Sequence, residues 1–224
     1  SEVLSNEARA VIAAQYSAKV SWMDHCFGRF LDAYYATGLS ENTTLIVVGD
    51  HGTKVGEYGR FGKGAPVRDL EAHIPLFVRR PGMPPSRTSG FVQPQDLTAT
   101  ILSIAGAEIP DLVAGCDVLS RPESRRCALS GPSASLWGDH FFSVFGRDAW
   151  LEWRPEPENS ILRAYRSEAV ISDSDPGTLK ELHAVGRAEI AARGAHPDLL
   201  RWLDDGAAGN LPDDIPLFRG WPGP

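Results

Sequence analysis

Three residues have types and a spacing that could do chemistry. Asp50 and His51 are adjacent, and Lys63 lies further on in Phe61-Gly62-Lys63-Gly64. A carboxylate and a neutral imidazole are good ligands for a divalent ion. Neighbours on a strand point to opposite faces, but at a strand exit both can turn toward one point. A lysine between glycines is sterically free to reach an anion such as sulfate or phosphate, where it acts as a compact point charge. Each residue also has a plainer alternative. An Asp can cap a turn, a His can bond the backbone, and a loop Lys can be solvated. Asp-His-Gly is short enough to arise by chance, and Lys54 is a rival cation nearby.

The elements that must position these residues are legible on either side. Residues 43–48 (TTLIVV) form a short, β-branched apolar run that suits a central strand covered on both faces. The run stops at Gly49, and chemistry in open α/β sheets sits where strands end at their carboxyl edge. The loop over 49–64 holds six glycines, so its backbone can approach a ligand closely. Upstream, residues 5–36 have helical spacing. Tyr16, Val20, Met23, Phe27, Phe30, Leu31 and Tyr34 share one face, which is expected to pack in the core. Ser5-Asn6-Glu7 offers a helix start and Gly38 a stop. Downstream, residues 74–78 predict a second buried strand and Phe91-Val92 a brief one. Residues 95–105 predict a helix that ends at Gly106.

From Arg126 the pattern changes. Residues 127–130, 140–145 and 149–153 read as short antiparallel strands, with Gly146-Arg147-Asp148 as a turn. Residues 178–192 and 197–203 read as helices, and the tail from Gly206 as extended or loosely held. Trp137, Trp150 and Trp153, with Phe141, Phe142 and Phe145, suit the core of this small sheet better than a sugar-stacking platform. His25, His140, His183 and His196 belong to no local constellation and are expected to be structural or on the surface. The fold class is α/β. Residues 1–120 read as part of a mixed sheet with flanking helices, and 121–224 as a small C-terminal antiparallel sheet with helices and a tail. An α/β sheet needs more than two strands to bury both faces, which points to strands outside this sequence.

Composition excludes several classes. A net charge of −7 over 224 residues leaves no electrostatic footprint for nucleic acid. No apolar run approaches the roughly 18 residues of a membrane span. Residues 1–10 have neither the basic start nor the apolar centre of a secretory signal, and the sequence sets no compartment. Cys26, Cys116 and Cys127 form no C-x-x-C pair, so neither a zinc site nor a disulfide framework is expected.

Taken together, these stretches resemble the C-terminal half of the sulfatase family, within the alkaline-phosphatase-like superfamily. The resemblance runs from about Tyr16 to Leu119. It is carried by Asp24-x-x-x-Gly28, Gly38-Leu39 and Asn42-Thr43, and by the strand ending in Gly49-Asp50-His51-Gly52. Gly56-Glu57, Phe61-Gly-Lys63-Gly, Ile74-Pro75-Leu-Phe-Val with Arg80-Pro81-Gly82, Asp96-Leu97-x-x-Thr100, Ala105-Gly106 and Gly115 complete it. Each match is short, but their shared order is specific.

The resemblance implies hydrolysis of a sulfate ester. Its nucleophile would be a formylglycine made from a C/S-x-P-x-R motif, and its divalent ion usually calcium, with manganese, magnesium and zinc as alternatives. It assigns Asp50 and His51 as metal ligands, Lys63 as a catalytic and substrate contact, and His73 as a weaker substrate contact where the family has an Arg. The departures are as informative. None of the three cysteines fits the nucleophile motif. Ser120-Arg-Pro-Glu-Ser-Arg125 comes closest, with its Arg one place too far. The family's N-terminal aspartates, lysine and histidines have no counterpart, and Tyr58 stands where a loop His is common. The chain is therefore expected to be the C-terminal portion of a longer or split hydrolase, inactive alone. Its expected partners are a small-molecule or carbohydrate sulfate ester, and either the missing N-terminal half or a second copy. Two rivals remain: a phosphodiesterase or phosphonate-ester hydrolase of the same superfamily, and a degenerate, non-catalytic domain.

Overall fold

The structure is a computed structural model that describes residues 4–64, 67–122, 125–134, 140–153, 160–165, 169–172, 174–192, 195 and 199–200. The chain divides into two compact units. The first comprises residues 1–63 and 70–86, the second 64–69 and 87–224.

The first unit opens with α1, Asn6–Ala36. Ser5 caps it by accepting the N–H of Ala8 at 3.2 Å, and Thr37 closes it before Gly38 turns left-handed at φ 75°. Gly38 fits there because it has no Cβ to clash. β1, Leu45–Val48, pairs antiparallel with β4, Leu76–Arg79. The bond from Gly49 N to Pro75 O extends this pairing by one step. Tyr34 ties the end of α1 to the sheet. Its hydroxyl donates to Thr43 O at 2.7 Å and accepts from Arg79 Nη1 at 2.9 Å. Arg79 also donates to Ser40 O and lies over the rings of Tyr34 and Tyr35.

Two expectations fail in this unit. Only Tyr34 of the α1 stripe is buried, whereas Tyr16, Val20, Met23 and Phe30 are exposed, Met23 at 72%. The helix has the periodicity of a buried element, but among the described residues only Tyr34 is buried in it, and Phe27, Leu31 and Tyr35 line an open groove with Leu45, Val47 and Phe77. Likewise β1 is not covered on both faces. Leu45, Ile46 and Val47 are half-buried and Val48 is exposed, and β4 is its one strand partner among the described residues. The six-glycine loop is more ordered than its composition suggests. It contains the hairpin of β2, Lys54–Val55, and β3, Phe61–Gly62. The short helix α2, Asp69–Ala72, precedes β4.

The second unit holds the main core. Phe91 and Val92 form no strand and lead straight into α3, Pro94–Ile104. Asp96, fully buried in the first turn of α3, accepts from Gln93 N, Cys116 N and Arg125. Arg125 also pairs with Glu189. A Cβ at Gly115 would stand 2.0 Å from Gln95 O, so only glycine lets this loop lie against α3. Ser120 donates its hydroxyl to Asp117 Oδ2 at 2.7 Å. The polar groups that flank the near-miss nucleophile motif are thus structural.

Four strands follow in the order β5-β6-β7-β8, all antiparallel: Ala128–Ala134, His140–Phe145, Ala149–Trp153 and Ile161–Ala164. The last was not anticipated, since ILRA is short and lacks clear alternation. Gly146 N bonds Ala149 O and closes the expected turn. All five residues of β7 are buried. Leu151 and Trp153 face α4, Pro176–Ala192, and join Phe142, Val144, Leu182 and Ile190 in the core. Gly186 lets α4 approach closely, because a Cβ there would come within 3.0 Å of Val144. No disulfide joins the three cysteines. Trp137 and His196, the side chains of His140 and Phe141, and the tail lie outside the described residues, as does most of the helix expected over 197–203.

His183 lies against Trp153 with ring centroids 4.5 Å apart, and burial pushes its pKa below the ordinary 6.5. The folded state thus disfavours the proton more than the unfolded one. The stability this gives is present above pH 6.5 and is lost as pH falls toward the lower folded value. Urea midpoints measured from pH 7 to pH 5 are expected to fall in the native chain and to fall less in His183→Phe.

Candidate metal and anion site

β1 delivers Asp50 and His51 to its carboxyl end, one residue after Gly49. There the two side chains converge. His51 Nε2 is 3.7 Å from Asp50 Oδ2, and Asp50 Oδ1 accepts the backbone N–H of His51 at 2.8 Å. That hydrogen bond is the largest influence holding the Asp50 carboxyl below the ordinary carboxylate range, and the charge of Lys63 nearby adds to it. Asp50 is therefore an anion at neutral pH and open to solvent.

The tautomer of His51 follows from its partners. Nδ1 lies 2.8 Å from Gly52 O, which can only accept, so Nδ1 carries the hydrogen. Nε2 then presents its lone pair, and Lys63 Nζ donates to it at 2.7 Å. A metal-binding histidine is oriented in the same manner, with one ring N–H given to a backbone carbonyl and the other nitrogen free to donate its lone pair. The hairpin explains how Lys63 reaches this point. β2 pairs with β3 in the register Lys54 with Gly62, which returns the chain so that Lys63 lies over His51. Three glycines make the return possible: Gly56 at φ 116°, Gly59 at φ 72° and Gly62 at φ 76°.

The structure thus brings Asp50, His51 and Lys63 together. His73 is exposed between α2 and β4, and among the described residues no hydrogen bond links it to the other three. Lys54 proves no rival to Lys63. It is buried and paired with Glu71 at 2.7 Å. Glu71 was not singled out in the sequence, because an acid on a four-residue helix has no periodicity to mark it. The donor chemistry fits two positions of a divalent ion's shell. Among the described residues no group of three or more His, Cys, Asp or Glu could hold a metal.

Residues 4–107 match the family model described as Sulfatase. An arylsulfatase of Clostridium perfringens is 30% identical over 154 residues, covering 66% of this chain and 30% of that protein. A solved structure described as a complex with its substrate D-glucosamine-2-N,6-O-disulfate aligns with a TM-score of 0.65 at 20% identity, over 77% of this chain and 39% of that one. A phosphonate monoester hydrolase from Silicibacter pomeroyi aligns at 0.57 and 24% identity, over 76% and 38%. The chain spans 26 to 37% of the length of the first three curated relatives. The structural likenesses establish the mixed α/β, alkaline-phosphatase-like fold. Over residues 4–107 the sequence matches the sulfatase family.

Proposed function

We propose that this chain supplies one wall of the active site of a metal-dependent sulfuric ester hydrolase. The observation that carries the proposal is the convergence of Asp50, His51 and Lys63 at the end of β1, with His51 held in a ligand's tautomer. Asp50 and His51 would hold the ion, calcium by first preference and manganese, magnesium or zinc as alternatives. When bound, such an ion offsets charge on the transferred group. Lys63 now occupies the Nε2 lone pair that a metal would take, so metal binding requires Lys63 to leave it. The released ammonium is then placed beside the ligands, where it can contact a sulfate oxygen or the leaving group. His73 stays a secondary candidate, supported only by its position before β4.

The substrate class is a sulfate ester of a small molecule or carbohydrate. Support comes from a relative that is an arylsulfatase and a structural neighbour that binds a disulfated glucosamine. Within the 224 residues no cysteine or serine lies in a C/S-x-P-x-R motif. The nucleophile is therefore assigned to a segment outside them, an N-terminal portion or a companion chain. The exposed face of α1 and the open sheet of β1 and β4 suit packing against that segment. Residues 1–120 would then belong to the catalytic α/β domain and 121–224 to a C-terminal subdomain.

The purified chain is expected to release no nitrophenol from nitrophenyl sulfate, with or without calcium. Metal-dependent release by the chain alone would overturn the assignment. Activity that appears on adding a segment bearing the motif, and disappears with chelator, would support it. A second reading, phosphonate or phosphate ester hydrolysis, is favoured by the likeness to the phosphonate monoester hydrolase. Relative rates of the restored protein on aryl sulfate and phenyl phosphonate esters separate the two.

A further inference from the structure

We propose that Glu71 is a positioning residue that latches both arms of the Asp50–His51–Lys63 site at once. Its purpose rests on the reading of those residues given above. Its geometry does not.

One arm is the strand exit. Gly52 N, next to His51, donates to the backbone oxygen of Glu71 at 2.8 Å. The approach is close enough that a Cβ at Gly52 would stand 2.0 Å from Leu70 O. The other arm is the hairpin that carries Lys63. Its first strand begins at Lys54, whose ammonium pairs with Glu71 Oε2 at 2.7 Å. Lys54 in turn faces Gly62 in the strand register, one residue before Lys63. A single residue on α2 therefore holds the ligand arm by its carbonyl and the lysine arm by its carboxylate.

Burial shows that this is more than a surface contact. The side chains of Lys54 and Glu71 are 6% and 4% exposed. Removing two charges from water costs several kcal/mol per ion, and apolar residues of similar volume often serve stability as well or better. Stability alone is thus a poor reason for the pair. What it gives is a fixed register between α2, the hairpin and the strand exit. It also neutralises Lys54 inside the fold, so of the two lysines Lys63 is the one that faces solvent.

The test uses the full chain with Glu71→Gln and the apolar double variant Lys54→Met/Glu71→Leu. Three readouts are taken: the melting temperature, amide exchange at Gly52, and the ring-nitrogen NMR pattern of His51, which reports its tautomer. In Glu71→Gln the Gly52 amide is expected to exchange about tenfold faster, while amides of the β1–β4 pairing change little. The single-tautomer pattern of His51 is expected to be lost. The double variant is expected to melt within about 3 °C of the native chain and still to show both site defects. If Glu71→Gln leaves Gly52 and His51 native, the latch is wrong. If the double variant restores the melting temperature and the His51 pattern together, the pair is merely structural and the proposal fails. The double variant also carries the test should Glu71→Gln not fold. A separate addition of Mn²⁺ to the native chain addresses the metal reading. Absence of broadening at the His51 ring would sink that reading alone, because the exchange and tautomer readouts need no metal.

Discussion

Lys63→Ala is expected to lower kcat about 10²–10³-fold in an active assembly that contains this chain, the usual loss when one preorganised charge donor is removed from a reacting centre. The ammonium sits 2.7 Å from His51 Nε2, at the point where β1 ends and the hairpin returns. Its side chain is exposed, so its removal is expected to change stability by no more than about 0.5 kcal/mol. The loss should therefore fall on kcat and spare the fold. Lys63→Arg is not expected to rescue, since a planar fork cannot replace a compact ammonium at this spacing. Kinetics on aryl sulfates with leaving groups of graded pKa refine the role. A loss that grows as the leaving group worsens places Lys63 on the leaving oxygen, and a uniform loss places it on the sulfate. An unchanged kcat would remove it from the machinery.

Arg125→Met is expected to destabilise the second unit by about 3–5 kcal/mol, because it strands a buried carboxylate. Asp96 is fully buried, and Arg125 meets it twice, at 3.0 Å through Nε and at 2.5 Å through Nη2, while also pairing with Glu189. Burial pushes the Asp96 carboxyl up, but the hydrogen bonds from Arg125, Cys116 and Gln93 outweigh it and hold it below its ordinary 3.8. The stability this contributes is present above pH 3.8 and is lost as pH falls through the lower folded value. Urea unfolding followed by far-UV circular dichroism should show the shift in midpoint at neutral pH. The double variant Asp96→Leu/Arg125→Met is expected to recover only part of it, since Gln93 N and Cys116 N would then lose their acceptor. A midpoint within experimental error of native for Arg125→Met would show that the network does not hold the unit together.

Much of the site was legible because its signals are local. An apolar run that stops at Gly-Asp-His-Gly needs no tertiary knowledge to suggest a strand end, and Phe-Gly-Lys-Gly marks a mobile cation. What the sequence could not give is long-range pairing. Lys54 and Glu71 are 17 positions apart, and only the fold turns Lys54 from a rival cation into a buried, neutralised one. The same holds for Arg125, which spacing suggested as a misplaced motif residue and the structure ties to Asp96. Periodicity also misled. The α1 stripe correctly located a helix, but periodicity reports that a face is apolar, not what covers it. β8 was missed because four residues without alternation carry little signal, while the β2–β3 hairpin was hidden by its glycines.

The exposure of α1 has an optical consequence. Trp22 lies on the other side of the helix from the stripe of Tyr16, Val20, Met23 and Phe30, 67% exposed and stacked on His25, whereas Trp150 and Trp153 are sealed in the second unit. An indole in water emits to the red of one in an apolar contact and is open to collisional quenchers. The difference spectrum between the native chain and Trp22→Phe therefore isolates one lamp on that side. A polypeptide that wraps the whole helix must dim the quencher's access to it and move its colour, whereas one that settles on the apolar stripe alone must leave both unchanged. The lamp thus reports which side of the helix a covering chain takes.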